Sequence, residues 1–120
     1  MHSISHTFGI SAAHVLPKLP KGHPCTRLHG HNWNITVTVA SATLSDLGFV
    51  MDFADLKKQC NTTITKTFDH TYLNDSVPNP TCELLAEKIY NMIAESLPAT
   101  CTVDMVTVEE TPGQEASYYE

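Results

Sequence analysis

Three histidines and a cysteine fall near one another early in the chain: His14, then Cys25, His29 and His31 within the stretch CTRLHGHNWNITVTV. A His-x-His pair on a β-strand sends both imidazoles to the same face. Trp33, Ile35, Val37 and Val39 share that odd parity, while Asn34, Thr36 and Thr38 face the other way. The pair therefore extends an apolar face, where an imidazole without a partner is costly. That face must end in something that takes ring nitrogen. Three neutral imidazoles with one open position are the pattern of catalytic zinc. Iron or copper would accept the same donors, but zinc fits best where neither carboxylate nor thioether lies nearby. Cys25 sits in a turn with Gly22, Pro24 and Arg27, four positions ahead of His29. It is a reactive thiol, an inert one, or the fourth ligand of a closed Cys-His₃ structural site.

Two acidic positions form a second group. FDHTYLND places Asp69 beside His70, an arrangement common in turns and also able to orient a general acid–base. Glu110 continues the face of Val106 and Val108, and a carboxylate there can accept paired hydrogen bonds from an amidine-like edge. Glu109 points to the opposite face and into solvent. His2, His6 and His23 read as structural or solvent-facing residues, not ligands.

These side chains need a frame. The chain has 120 residues, 42% hydrophobic and 17% charged, with net charge −6. That length fits one domain over residues 1–120, and the acidic balance argues against nucleic acid or an anionic membrane as partner. No run is long enough to cross a membrane as a helix, and MHSISHTFGI lacks a signal-peptide layout, so a cytoplasmic location is expected. Cys25, Cys60, Cys82 and Cys101 form no CxxC pair and are expected as reduced thiols. Cys60, Cys82 and Cys101 read as small apolar residues.

Alternation predicts a strand near Ser3 to Ala13, with Ile4, Phe8, Ile10 and Ala12 on one face and His6 and His14 in phase. A Pro/Gly-rich loop follows, then a second strand from about His31 to Ala42. Asp52 reads as the N-cap of a helix whose inner face is Phe53, Leu56, Cys60 and Ile64. Thr81 caps a second helix carrying Leu85, Ile89, Met92, Ile93 and Leu97, stopped by Pro98. Strands near Thr102 to Glu110 and Ala116 to Tyr119 flank a TPGQ turn. The order ββααββ predicts an α+β fold, a four-stranded antiparallel sheet with two helices on one face. Its open edges and Trp33 predict self-association.

In order and spacing, SAAHVLP, GHPCTRLHGHNW, VMDFADLK, FDHTYLND, NPTCE and VEET resemble the 6-pyruvoyltetrahydropterin synthase family over essentially the whole chain. The Cys-x-x-x-His-Gly-His spacing resembles the branch that makes 6-carboxytetrahydropterin for queuosine synthesis; the pyruvoyl-forming branch has a longer gap. The resemblance implies a T-fold, with strands of trimers closing a barrel and two trimers stacking into a homohexamer whose active sites lie between subunits. It implies one Zn²⁺ per subunit on His14, His29 and His31, Cys25 as catalytic thiol, and Asp69 with His70 as its proton-relay partners. It further implies Glu110 as anchor of the pterin edge and Thr81 as a pterin contact. The implied substrate is 7,8-dihydroneopterin triphosphate, whose triphosphate Lys18, Lys21 and Arg27 are placed to meet. Two features depart from that pattern: TPGQEASYYE carries no basic residue, and Cys82 stands where many relatives have serine or threonine.

Overall fold

The computed structural model describes residues 1–120. Strand β1 (His2–His14) pairs antiparallel with β2 (His29–Ser41) along its whole length, from His2 opposite Ser41 to His14 opposite His29. Helix α1 (Phe53–Cys60) continues through a π-helical segment, Asn61–Thr65, into a last turn α2 (Lys66–Phe68). Strand β3 (Thr71–Tyr72), helix α3 (Cys82–Ser96), and strands β4 (Thr102–Thr111) and β5 (Gln114–Tyr118) follow.

The sheet order is β3-β1-β2-β4-β5. This corrects the expected four-stranded antiparallel sheet. The four long strands are present and antiparallel, but a fifth, β3, pairs parallel with β1 at Ala12 and Ala13. Two residues inside FDHTYLND are too short for alternation to register, so pairing with β1, not local pattern, makes them a strand. β2 also begins two residues earlier than expected, at His29, because it stays in register with β1 to the end.

One face of the sheet is apolar. Ile10, Trp33, Ile35, Val37, Val39, Val106 and Val108 are buried in the core, against Leu56, Ile64, Phe68, Leu85, Ile89 and Ile93 from the helices. α3 lies over β4 and β5, and α1 reaches β1. Leu56, Cys60, Ile64 and Phe68 recur every four residues and are fully buried. Phe53 departs from expectation: it is the first residue of α1 and is 64% exposed. Along Asn61–Thr65 and the turn beyond it, the hydroxyls of Thr62, Thr63 and Thr67 bond back to carbonyls one turn earlier, which favours local distortion of a helix.

The opposite face is polar and cross-braced. Ser5 meets Thr38, Thr7 meets Thr36, Ser11 donates to Asn32, and Asn34 donates to Glu109. Glu109 is thus half-buried and hydrogen-bonded, not simply solvated. The β4–β5 hairpin turns at Pro112–Gly113, where Gly113 takes φ +85°, a conformation that favours glycine. No strand lies along β1 from His2 to Ile10 on its outer side.

Phe68 ends the long helix and fixes the turn that carries Asp69 and His70. Phe68→Ala should lower unfolding free energy by about 3–5 kcal/mol in urea titration. A loss below about 1 kcal/mol would show that this helix end is not packed as described.

Candidate metal centre

The three histidines meet at one end of the sheet, where β1 finishes, β2 starts and β4 finishes. His14 faces His29 directly across the strands, and His31 faces Ala12. Ring centroids lie 4.5 Å apart for His14 and His29, 5.2 Å for His14 and His31, and 4.9 Å for His29 and His31. Trp33 forms the floor, edge-on to His14 and His31, with Nε1 donating to the carbonyl of Ala12 at 3.1 Å.

Two backbone carbonyls orient the rings. Nδ1 of His14 lies 2.9 Å from the carbonyl of Pro80, and Nδ1 of His29 lies 2.8 Å from that of Arg27. A carbonyl only accepts, so each Nδ1 carries the hydrogen and each Nε2 presents a lone pair. Nε2 of His14 is buried with no hydrogen-bond partner, and Nε2 of His31, also buried, makes none in hydrogen-bond geometry although Oε1 of Glu110 lies 2.9 Å away. Burying an unpaired acceptor is unfavourable, and a metal ion satisfies it. Glu110 joins the group: its ligand atom and those of the three histidines all lie within 4.8 Å of one another. A carboxylate therefore does stand beside the imidazoles, contrary to the reasoning that favoured zinc for want of one. Zinc accepts carboxylate oxygen alongside imidazole, so the donor set still fits it.

The neighbouring loops hold these strand ends in place. Asn74 receives the N–H of Val15 at 3.0 Å and donates to its carbonyl at 2.9 Å, completing β1 just after His14. The N–H of Leu16 bonds the carbonyl of Cys25 at 2.9 Å, closing the loop on itself. Cys25 lies in a single 3₁₀ turn, Pro24–Thr26, capped by His23, whose Nδ1 accepts from the Cys25 N–H. Cys25 is half-buried and is not among the four groups within metal-binding reach. Arg27 is exposed, and its backbone, not its guanidinium, acts on the site by holding His29. Lys18 and Lys21 are also exposed in this loop.

Thr81 uses its hydroxyl to cap α3, accepting from the Leu84 N–H at 3.1 Å. Its neighbour Cys82 touches the site instead, donating from Sγ to Oε2 of Glu110 at 3.4 Å. Burial and this carboxylate push the Cys82 thiol up to about 12, so it remains protonated. Cys82 is thus more than apolar filler, whereas Cys60 and Cys101 are buried as expected. Nothing in the local sequence marked Cys82, Asn74 or the carbonyl of Pro80.

Asp69 and His70 stand apart from the cluster. Oδ1 of Asp69 accepts from the Ser11 N–H at 2.9 Å, and the His70 N–H donates to the Ser11 carbonyl at 2.6 Å. The His70 ring is 81% exposed and lies 3.7 Å from Asp69, beyond a hydrogen bond. His70 also holds φ 60°, an uncommon conformation for a residue other than glycine and one found preferentially at functional sites. It lines an open cleft of about 470 Å³ with Ser11, Gly30, Asn32 and Thr71, which also reaches His31.

A family model described as 6-pyruvoyl tetrahydropterin synthase matches residues 3–120. A Bacillus subtilis protein named 6-carboxy-5,6,7,8-tetrahydropterin synthase is 37% identical over 114 residues, covering 86% of this chain and 75% of the relative. A Synechocystis protein of the same name is 36% identical, covering 99% of this chain and 94% of that one. The solved 6-pyruvoyl tetrahydropterin synthase of Caenorhabditis elegans superposes with a TM-score of 0.84 at 27% identity, covering 99% and 95% of the two chains. No helix of this chain is long and apolar enough to cross a membrane.

Burial holds His14 and His31 below the ordinary imidazole value of 6.5, opposed only in part by the Pro80 carbonyl at His14 and by the carboxylate of Glu110 at both. The native metal-free chain then binds fewer protons than the unfolded one, so its stability rises with pH. Unfolding free energy should fall as pH drops below 6.5 towards the depressed native values, and this slope should flatten in His31→Gln. Added Zn²⁺ should raise the melting temperature at pH 7.5, with a smaller gain at pH 5.5, where protons compete for the ring nitrogens. Metal-free stability that is flat across this window would contradict the buried, neutral imidazoles.

Proposed function

The chain belongs to the 6-pyruvoyl tetrahydropterin synthase family and is an enzyme of that family, and from that premise we propose that it converts 7,8-dihydroneopterin triphosphate to 6-carboxy-5,6,7,8-tetrahydropterin. Acetaldehyde and triphosphate leave, making the enzyme a carbon–carbon lyase of queuosine synthesis. The observation that carries this reading is the convergence of unpartnered imidazole Nε2 atoms with a carboxylate at one sheet end. The short Cys25-x-x-x-His29 spacing and the names of the bacterial relatives favour the carboxy product over the pyruvoyl one.

His14, His29 and His31 would hold Zn²⁺, one per subunit. When bound there, zinc supplies Lewis-acid stabilisation of charge that develops on the substrate's side-chain oxygens. Glu110 accepts the 2-amino and N3 hydrogens of the pterin, a paired, charge-assisted contact that fixes the ring's orientation. Cys25, at the mouth of the same loop, exchanges a proton with the side-chain carbons, and His70 serves as the complementary acid–base. Thr81 flanks the ring from the cap of α3. Lys18, Lys21 and Arg27, all exposed on the loop, meet the triphosphate.

One chain leaves this machinery incomplete, since Asp69 is committed to Ser11 and His70 is not among the four groups of the cluster. The uncovered outer edge of β1 and the single-sided pairing of β5 are open to a second copy. The reading therefore includes a homohexamer, a dimer of trimers, in which a neighbouring subunit completes each site. It also favours an open, catalytic site over a closed Cys-His₃ module, because the fourth group within reach of the imidazoles is Glu110 and not Cys25.

Incubating Zn²⁺-loaded, reduced protein with 7,8-dihydroneopterin triphosphate should yield 6-carboxytetrahydropterin and acetaldehyde by mass spectrometry. Cys25→Ala should retain stoichiometric zinc and lose turnover by at least about 100-fold, the usual scale for a positioned acid–base group. Pyruvoyltetrahydropterin as sole product would move the chain to the sister activity. Loss of zinc from Cys25→Ala would instead make Cys25 a ligand.

A further inference from the structure

Glu110 stands where two demands meet. Its Oε1 lies 2.9 Å from Nε2 of His31, yet that nitrogen has no partner in hydrogen-bond geometry. A carboxylate oxygen and an imidazole nitrogen this close need a proton or a metal cation between them. One oxygen of this carboxylate belongs, with one nitrogen from each histidine, to a set of four ligand atoms within one 4.8 Å span. Its Oε2 is tied to the Cys82 thiol at 3.4 Å. Only one oxygen of this carboxylate is therefore free to change partner. The amidine edge of a pterin, however, needs both oxygens facing it.

We propose that Glu110 is a displaceable fourth metal ligand: it closes the three-histidine site in the substrate-free protein and leaves the metal when it takes up the amidine edge of the pterin. Cys82 holds the far oxygen and serves as the pivot for this exchange. The inference rests on reading Glu110 as the pterin anchor. Metal and amidine edge then compete for one side chain, and the coupling must be reciprocal. A coordination position at the metal opens only once the ring is seated, which matches metal reactivity to substrate occupancy.

A complete substrate masks this competition, because its side chain makes contacts of its own at the metal. The suitable probe is isocytosine, which carries the amidine edge without a side chain. The metal-free chain is titrated with Co²⁺, followed by visible absorption, with and without saturating isocytosine. Isocytosine binding is measured separately by calorimetry. Isocytosine should weaken Co²⁺ binding by roughly fivefold or more and alter the cobalt bands, as expected for a typical coupling between sites. Glu110→Gln should bind Co²⁺ about tenfold more weakly, within the range for disturbed metal surroundings, and lose the response to isocytosine.

Co²⁺ affinity that isocytosine leaves unchanged or tightens in the unmodified protein overturns the exchange, and that arm needs no variant. Weak isocytosine binding by Glu110→Gln with full Co²⁺ affinity leaves the anchor reading standing and overturns the exchange alone. Isocytosine that binds neither protein, or both equally, overturns the anchor reading and the exchange with it.

Discussion

Two backbone carbonyls, those of Arg27 and Pro80, decide what this site can do. Each takes the Nδ1 hydrogen of one histidine, and so leaves Nε2 of His14 and His29 as a fixed lone pair. Turned over, either ring would offer an N–H to the centre of the cluster and would not bind a metal. The rest of the structure serves this constraint. Full pairing of β1 with β2 puts His14 opposite His29. Asn74 extends β1 beyond its last residue, and the Thr81 cap starts α3 so that Pro80 sits over the imidazoles. Trp33 closes the floor, keeping the rings in an apolar surrounding where the unpaired nitrogens are costly until a cation is bound.

Much of this was legible in the sequence because β-strands express themselves in alternation. The parity shared by His29, His31 and Trp33 placed both imidazoles on the buried face, and the phase of Ile10 and Ala12 placed His14 with them. The odd carboxylate Glu110 declared itself by interrupting an apolar face. What stayed hidden lies in features that periodicity does not encode. The acceptors that orient the rings are main-chain carbonyls of Arg27 and Pro80, and no residue type signals a carbonyl's direction. Strand β3 has two residues and exists through its partner. The contact of Cys82 with Glu110 joins a helix start to a strand end 28 positions away, a distance over which no local pattern reports. The helical stripe holds from Leu56 onward but not at Phe53, which is exposed.

Asp69 and His70 show a different limit. Their adjacency was visible, and it invited an acid–base pair, but the fold spends the Asp69 carboxylate on the N–H of Ser11 and turns His70 outward in a left-handed conformation. Strain of this kind persists only where the surroundings hold it, and here the β3–β1 pairing and the Ser11 contacts do so. The His70 ring is left in solvent, and the outer edge of β1 from His2 to Ile10 carries no paired strand.

The tautomers of His14 and His29 test the central claim most directly. Long-range ¹⁵N–¹H correlation spectra of the metal-free protein at pH 7.5 distinguish a hydrogen on Nδ1 from one on Nε2. Both rings should carry it on Nδ1 before any metal is added, and Zn²⁺ should then shift Nε2 of both without moving the hydrogen. A hydrogen found on Nε2 of either ring in the metal-free protein would show that the carbonyls do not preset the donors, and the account of this centre would fail.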